Sequence, residues 1–372
     1  MQICLGATYA WSVFVLPLKQ SIGILQGTAQ LPFSLFYFAF PATMIVTGTL
    51  LPRIGPRRCA VIGGLLFGGG WMLASLGNRD FTFTVLGIGL LAGIGVGFAY
   101  IVPIATCVRW FPKQKGLVTG IAVAGFGGGA ALVSQVSGHL METMTVGPFG
   151  AFRILGMAFM LMVGLAGLFM ENPSPIQAVA GRRMPIATIL GERAFVSLYL
   201  AMMAGLAAGF AVNANMKELF SGASVEAGVS AVALFALANA AGRITWGWIF
   251  DRSRSMVVLK VNLLLQAVLL ILNTAILRSE AGLTFFAILS GFNYGGILVL
   301  YASAAAETWG SERLSQVYGW LFSANIPAAV SPIVAGLAFD RWGSFAPALW
   351  GVGGLMVGGA LALGWRGKVA GK

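Results

Sequence analysis

The chain alternates between long apolar segments and short polar stretches. A helix needs about 20 mostly apolar residues to cross the hydrocarbon core of a bilayer. Twelve segments meet this length within a few residues, namely 1–18, 31–51, 59–76, 83–108, 116–140, 154–170, 195–214, 227–250, 256–277, 283–306, 318–339 and 345–364. The pattern therefore predicts an all-α membrane protein with twelve transmembrane helices in two sets of six.

The composition supports this assignment and affects how the net positive charge of the chain is interpreted. Only 9% of the residues are charged and 58% are hydrophobic, whereas a soluble domain carries about 25% charged residues. A net charge of +12 would suggest nucleic-acid binding in a soluble protein. Here the basic residues stand singly or in threes between apolar runs. We therefore expect the lipid bilayer, and no nucleic acid, as a partner.

The basic residues are distributed unevenly among the predicted loops. Sixteen of the 23, counting Lys260 near the start of the ninth predicted helix, lie in the loops after the even-numbered helices and in the C-terminal tail, and six lie in the other loops. Because basic loops stay on the cytoplasmic side, we predict a multi-pass protein of the cell inner membrane with both termini in the cytoplasm. The remaining basic residue is Arg243, inside the eighth predicted helix.

One polar stretch is long enough to separate the two sets of helices. Residues 171–194 include Pro173 and Pro175, which interrupt helices, and several charged side chains. We therefore predict an N-terminal six-helix bundle over 1–170, a cytoplasmic linker over 171–194 and a C-terminal six-helix bundle over 195–372.

The two halves of the chain contain matching motifs. Gly-Phe-Ala-Tyr at 97–100 matches Gly-Phe-Asn-Tyr at 291–294, and residues 48–53 match 247–252. The offsets are 194 and 199, and each pair joins helices six apart. Parallel six-helix repeats imply a pseudo-two-fold axis along the membrane normal, with a central site between the halves.

These features resemble the major facilitator superfamily. Its Gly-x-x-x-Asp-Arg signature is matched by Gly247, Asp251 and Arg252, and the resemblance implies a conformational role for these three residues. In the first half, Pro52 stands where the family usually has Asp. The resemblance implies two pseudo-symmetric bundles that expose a midplane cavity to each side in turn.

Three short motifs narrow the resemblance to the oxalate/formate antiporter branch, which is related to the monocarboxylate transporters. They are Leu-Gly-Ala-Thr-Tyr-Ala-Trp-Ser-Val-Phe at 5–14, Asn-x-x-Gly-Arg-x-x-x-Gly at 239–247 and Tyr-Gly-x-Leu-Phe-x-Ala at 318–324. In that branch the position of Arg243 binds the substrate carboxylate. The resemblance therefore implies a transporter of small carboxylates.

Arg243 is also a candidate on physical grounds. An arginine inside a membrane helix is costly and normally faces a cavity or a partner. All eleven Asp and Glu residues lie in loops or near predicted helix ends, so a buried ion pair, the alternative role, has no obvious carboxylate. A guanidinium binds a carboxylate through two parallel hydrogen bonds. Asn239, four residues earlier on the same helical face, would orient Arg243 or contact the substrate, or else bond between helices.

Five further side chains are candidates for substrate contact. The repeat would place Tyr100 and Tyr294 across from each other, unless they only pack or lie at the membrane interface. Tyr9 and Phe126 would form apolar walls, or only pack. Asn325 matches a lysine of oxalate transporters in the branch, and its neutrality leaves one fixed cation. We therefore predict a monocarboxylate such as lactate, formate or pyruvate.

Several alternatives remain open at this stage. Within transport they are oxalate/formate-type antiport, a different small solute, and either proton symport, exchange or facilitated diffusion. A non-transporting receptor or scaffold of the same fold is a further alternative. An enzyme is not expected, because His139 is the only histidine and no nucleophile–base pair or metal cluster is apparent. We predict no catalytic residues, metal or cofactor.

Overall fold

The computed structural model describes residues 1–24, 26–143, 146–173, 186–216, 219–220 and 222–365, and all regular structure in these ranges is helical. The first helices are α1 Gln2–Leu5, α2 Ser12–Ile22, α3 Gln26–Ala74, α4 Thr82–Thr84, α5 Gly93–Ala99, α6 Ile101–Trp110, α7 Lys115–Gly138, α8 Gly147–Leu168 and α9 Ile186–Gly191. The remaining helices are α10 Arg193–Asn215, α11 Val225–Arg252, α12 Ser255–Ile271, α13 Asn273–Ile276, α14 Glu280–Trp309, α15 Leu314–Phe322, α16 Asn325–Ala328, α17 Ser331–Trp342 and α18 Ala346–Ala362. Gly6–Ala10, Ser75–Asn78 and Leu363–Trp365 are 3₁₀ segments, and Val85–Ala92 and His139–Thr143 are π segments.

Seven helical stretches in the described ranges are long and apolar enough to cross a membrane. They are Leu31–Asn78, Thr82–Trp110, Lys115–Met141, Gly147–Leu168, Arg193–Asn215, Glu280–Trp309 and Leu314–Phe339. The first covers two of the predicted spans, and its two halves are separated at Gly55, where φ is 83° and ψ is 164°. Such a positive φ is accessible to glycine at no steric cost. Shorter apolar helices are Val13–Ile22, Ser255–Ile271 and Ala346–Ala362.

The helices are grouped into two compact units. The first contains the described residues of Met1–Trp110, Gly125–Val179 and Ser311–Ser323. The second contains those of Phe111–Ala124, Ala180–Gly310 and Ala324–Lys372. Each unit therefore includes a short segment from the other half of the sequence. The predicted domain boundaries at 170 and 195 remain a prediction.

In the first unit, glycines bring α3 close to α5. A Cβ on Gly95 would lie 2.4 Å from the backbone nitrogen of Phe67, and one on Gly63 would lie 2.7 Å from the carbonyl oxygen of Gly95. These separations leave no room for a side chain, so the two backbones are in direct contact. Helix association in membranes depends on such close packing because lipid provides no hydrophobic drive between helices.

In the second unit, α11 and α14 approach each other in the same way. A Cβ on Gly242 would lie 2.0 Å from the carbonyl oxygen of Phe292. On the facing helix, a Cβ on Gly295 would lie 2.2 Å from the carbonyl oxygen of Asn239. This contact fixes the part of α11 that carries Asn239 and Arg243.

The helix ladder is interrupted at Tyr100, between α5 and α6. Pro103 has no backbone N–H to donate to the Ala99 carbonyl, so one hydrogen bond of the ladder is missing. Tyr100 keeps helical dihedral angles, with φ −60° and ψ −46°. The interruption is thus a break in hydrogen bonding rather than in backbone conformation. The side-chain nitrogen of Gln2 donates to the Tyr100 carbonyl oxygen at 3.0 Å.

Candidate functional site

Arg243 lies in the second half of α11 and is 4% exposed. Its Nε donates a hydrogen bond of 2.9 Å to Oδ1 of Asn239, one helical turn earlier. Its Nη1 donates to the carbonyl oxygen of Val123 on α7. Two oxygens on different helices therefore fix the plane of the guanidinium.

Arg243 has no carboxylate partner among the described residues, where the single ion pair is between Arg57 and Glu171 at 3.7 Å. Nη2 of Arg243 donates no hydrogen bond to any residue that the structure describes. A buried charge without a counter-ion is unfavourable by several kcal/mol, roughly, unless an anion or water satisfies it. The guanidinium thus keeps donors that suit the oxygens of an anion.

The contact between α7 and α11 was not predicted from the sequence. A Cβ on Gly120 would lie 2.5 Å from the carbonyl oxygen of Arg243, so only glycine allows this approach. The approach brings the Val123 carbonyl within reach of the guanidinium. Gly116 and Gly120 form a Gly-x-x-x-Gly pair on α7, and this spacing was the available signal for a helix contact.

Two of the three signature residues lie at the same contact. Oδ1 and Oδ2 of Asp251 accept hydrogen bonds of 2.8 Å from the backbone N–H groups of Gly116 and Leu117. The carboxylate therefore caps the first turn of α7, where free N–H groups and the helix dipole favour negative charge. A Cβ on Gly247 would lie 2.2 Å from the carbonyl oxygen of Gly116. The exposed Arg252 instead stacks on Trp248, 4.3 Å from the ring centroid.

Tyr9, Tyr100 and Phe126 lie together in an aromatic cluster of the first unit. The ring centroids of Tyr9 and Phe126 are 5.3 Å apart, and those of Tyr100 and Phe126 are 5.1 Å apart, both edge to face. Other members of this cluster, among them Phe40 and Phe322, were not predicted from the sequence. Phe40 lies 5.2 Å and Phe322 lies 5.5 Å from the Tyr100 ring.

Tyr294 and Asn325 belong to the second unit. The Tyr294 ring is partly buried between Phe210 and Phe235, with centroid distances of 6.3 and 6.1 Å. A Cβ on Gly209 would lie 2.0 Å from Cδ2 of Tyr294, so this glycine makes room for the ring. Asn325 is the first residue of α16 and is 6% exposed. The predicted opposition of Tyr100 and Tyr294 remains a prediction.

The described residues contain no group of three or more His, Cys, Asp or Glu side chains that could hold a metal ion. His139 begins a π segment after α7. The chemistry that the described residues offer is thus anion binding and polar or aromatic contact.

Comparison with known proteins identifies the class of this protein. The profile of the Major Facilitator Superfamily matches residues 1–326, so the chain belongs to that superfamily of membrane transporters. The protein is accordingly a multi-pass membrane protein and not an enzyme. The predicted fold class, all-α with twelve transmembrane helices in two pseudo-symmetric six-helix bundles, is confirmed by this membership and by solved structures.

The individual relatives share only about a quarter of their residues with this chain. The chain is 26% identical over 86% of its length to an uncharacterized MFS-type transporter, YhjX, of Escherichia coli, covering 81% of that protein. It is 25% identical over 87% of its length to the oxalate:formate antiporter of Oxalobacter formigenes, covering 79%, and 25% identical over 89% to monocarboxylate transporter 10 of Danio rerio, covering 67%. The E. coli fucose:proton symporter FucP superimposes with a TM-score of 0.75 at 15% identity, over 99% of this chain and 97% of its own. At that identity FucP is informative about the fold alone.

Proposed function

We propose that this protein is a secondary transporter that moves a small monocarboxylate across the cell inner membrane by alternating access. The observation that carries the proposal is the buried guanidinium of Arg243, which has no carboxylate partner in the described part of the chain. A substrate carboxylate would supply the missing negative charge.

The hydrogen bonds of Arg243 support a binding role. Because Nε is held by Asn239 and Nη1 by the Val123 carbonyl, the side chain is already oriented before any anion binds. Pre-orientation reduces the conformational entropy that binding would otherwise cost. The Nη2 edge would then donate charge-assisted hydrogen bonds to the substrate, which are stronger than neutral ones.

The substrate class follows from charge and from the relatives. Arg243 is the one basic residue deep inside a predicted span, since Lys260 lies only five residues into its own, and Asn325 is neutral where oxalate transporters of the branch have lysine. One fixed cation matches one carboxylate, so lactate, formate or pyruvate fits better than a dianion. The names of the oxalate:formate antiporter and of the monocarboxylate transporters among the relatives support a carboxylate substrate.

The other candidate residues complete the proposed mechanism. Tyr100 and Tyr294 would donate hydroxyl hydrogen bonds to the substrate, while Tyr9 and Phe126 would line the apolar part of the site. Asp251 and Gly247 would govern the α7–α11 contact as the bundles rock around a midplane cavity. A substrate anion would neutralise the charge of Arg243 in an exchanger and in a proton symporter alike. The experiment must therefore distinguish exchange from symport.

The proposal is tested by uptake of radiolabelled L-lactate into proteoliposomes, with and without a pH gradient. We expect uptake that formate and pyruvate inhibit and that oxalate does not. In Arg243→Gln, uptake should fall by about 100-fold or more, because the buried charge is removed. Arg243→Lys should also be impaired, because lysine keeps the charge but loses the planar fork.

Arg278→Lys is the matched control, since Arg278 is exposed and bonds only locally to the Thr274 carbonyl. This variant should retain wild-type uptake. Unchanged uptake in both Arg243 variants would show that Arg243 is not the binding site. Uptake of oxalate as fast as that of lactate would refute the restriction to monocarboxylates.

A further inference from the structure

The two compact units contain equivalent helix contacts, related by the sequence offset of 199. In the second unit, a Cβ on Gly116 would lie 2.1 Å from the carbonyl oxygen of Gly247. In the first unit, a Cβ on Gly48 would lie 2.3 Å from the carbonyl oxygen of Ser315. Gly48 on α3 thus corresponds to Gly247, and Ser315 on α15 corresponds to Gly116.

The equivalence fails at one side chain. Asp251 caps the N–H groups of Gly116 and Leu117, and the corresponding N–H groups belong to Ser315 and Gln316. The residue corresponding to Asp251 is Pro52, which has no carboxylate. The first turn of α15 has no side-chain cap at its N-cap position, Arg313. As in any helix, its first N–H groups have no intrahelical acceptor, and they lie at the positive end of the helix dipole.

A cleft of the first unit lies at this position. Its lining includes Pro52, Thr106, Arg109, Ser311 and Ser315. The Arg109 guanidinium makes a long hydrogen bond of 3.4 Å to the Glu312 carbonyl oxygen and interacts electrostatically with the Glu312 carboxylate, but it has no described carboxylate within 4 Å. Thr106 is 5% exposed, and its hydroxyl has no hydrogen-bond partner among the described residues.

We propose that this cleft binds a phosphate-type oxyanion in place of the carboxylate that Pro52 lacks. The anion would accept hydrogen bonds from the Ser315 and Gln316 N–H groups, as the Asp251 carboxylate does from their counterparts. Arg109 would balance its charge, and the Thr106 hydroxyl would gain a partner. Helix N-termini beside an arginine bind phosphate groups by the same combination of N–H donors and positive charge.

The phosphate group has two possible sources, free inorganic phosphate and the headgroup of an anionic phospholipid. The site is separate from Arg243 and does not depend on the proposed transport of carboxylates. Its occupancy would stabilise the contact of α15 with α3 within the first unit.

The test measures thermal unfolding of the purified full-length chain in neutral detergent. One arm titrates inorganic phosphate at constant ionic strength against chloride, and the other titrates short-chain phosphatidylglycerol against short-chain phosphatidylcholine. We expect a saturable rise in the unfolding temperature with a phosphate-group anion. A response to inorganic phosphate assigns a free anion, whereas a response to phosphatidylglycerol alone assigns a lipid headgroup.

Two variants make the assignment specific. Pro52→Asp supplies an internal carboxylate, so it should raise the unfolding temperature without ligand and weaken anion affinity about tenfold or more. Arg109→Gln should weaken affinity by a similar factor through loss of the charge. Arg254→Gln, at an exposed arginine of the second unit that does not line the cleft, is the matched control and should bind as wild type does.

A wild-type chain that responds to neither probe would overturn the proposal. A response that persists unchanged in both Pro52→Asp and Arg109→Gln would overturn it as well. The same titration on Arg243→Gln separates this site from the transport site, because the anion response should be unchanged there whether or not Arg243 binds substrate.

Discussion

Asn239 is the residue through which α11 orients its own arginine. Its side-chain Oδ1 accepts from Nε of Arg243 at 2.9 Å, and both residues are more than nine-tenths buried. The second acceptor is the backbone carbonyl of Val123. A substitution at position 123 keeps this acceptor unless it shifts α7. Asn239 is therefore the acceptor that mutation can remove selectively.

Asn239→Ala should weaken carboxylate affinity while leaving the helix in place. Hydrogen bonds to charged groups contribute about 1.5–3 kcal/mol, so the apparent Kd should rise about tenfold or more. Titration calorimetry with L-lactate on the purified protein measures this change directly. Asn78→Ala, at an exposed residue of a 3₁₀ segment, serves as the control and should bind normally. Equal affinity in wild type and Asn239→Ala would remove Asn239 from the proposed site.

The sequence could indicate Arg243 and Asn239 because their signals are local. An arginine within an apolar run is visible in a one-dimensional pattern, and a spacing of four places two side chains on one helical face. The Val123 carbonyl could not be anticipated in this way, because a backbone acceptor carries no residue signature. Phe40 and Phe322 were likewise missed, since phenylalanine is frequent in this chain and only tertiary packing selects these two.

At the scale of the elements, the α11–α14 pair leaves no room for added side chains at its glycines. Gly291 and Gly295 are spaced by four on α14, and Cβ atoms there would lie 2.3 and 2.2 Å from the carbonyl oxygens of Phe235 and Asn239. Backbone atoms cannot rotate away as a flexible side chain can. The two helices must therefore separate if either glycine gains a side chain.

Gly295→Ala should destabilise the protein by about 1–3 kcal/mol, the usual range for overpacking. It should also weaken carboxylate binding, because Asn239 moves with α11. Denaturant or thermal unfolding in detergent measures the first effect. Gly358→Ala on α18 is the control, since no atom lies within 4 Å of its Cβ position and alanine is the better helix former. Equal losses in both variants would point to a general glycine effect instead of a close contact.

Most of the helices were predictable to within a few residues. A long apolar segment in a membrane must satisfy its backbone hydrogen bonds internally, and the helix is the structure in which a single segment does so. The predicted span 283–306, for example, lies inside α14, Glu280–Trp309. The irregular segments were not predictable. The 3₁₀ turn Gly6–Ala10 and the π segment Val85–Ala92 depend on how neighbouring backbones pack, and an apolar pattern does not record that.

Over the whole molecule, the distribution of basic residues leads to a topology that can be tested. With sixteen basic residues in or next to the loops after the even-numbered helices and in the C-terminal tail, and six in the other loops, both termini should be cytoplasmic. A fluorescent-protein fusion at the C-terminus should therefore be bright in a bacterial host. An alkaline phosphatase fusion at the same point should be inactive, because that enzyme folds only outside the cytoplasm.

A phosphatase fusion after Arg278 is the internal control. Arg278 lies in a loop after an odd-numbered predicted helix, so this fusion should be active. An active phosphatase at the C-terminus would reverse the proposed orientation. That result would leave the superfamily membership intact, since membership depends on the sequence match over residues 1–326.

The exchange of short segments between the two halves has a consequence for the origin of the protein. The first unit includes Ser311–Ser323 from the second half, and the second unit includes Phe111–Ala124 from the first half. Suppose that the repeats arose by duplication of a six-helix gene. In the product of that gene, the helix face that carries Gly48 or its counterpart Gly247 would have had no partner segment within the same chain. That product would have had to borrow the missing segment from a second copy of itself. On that premise the contact would first have formed between two copies of the six-helix protein, and gene fusion would have joined both partners in one chain.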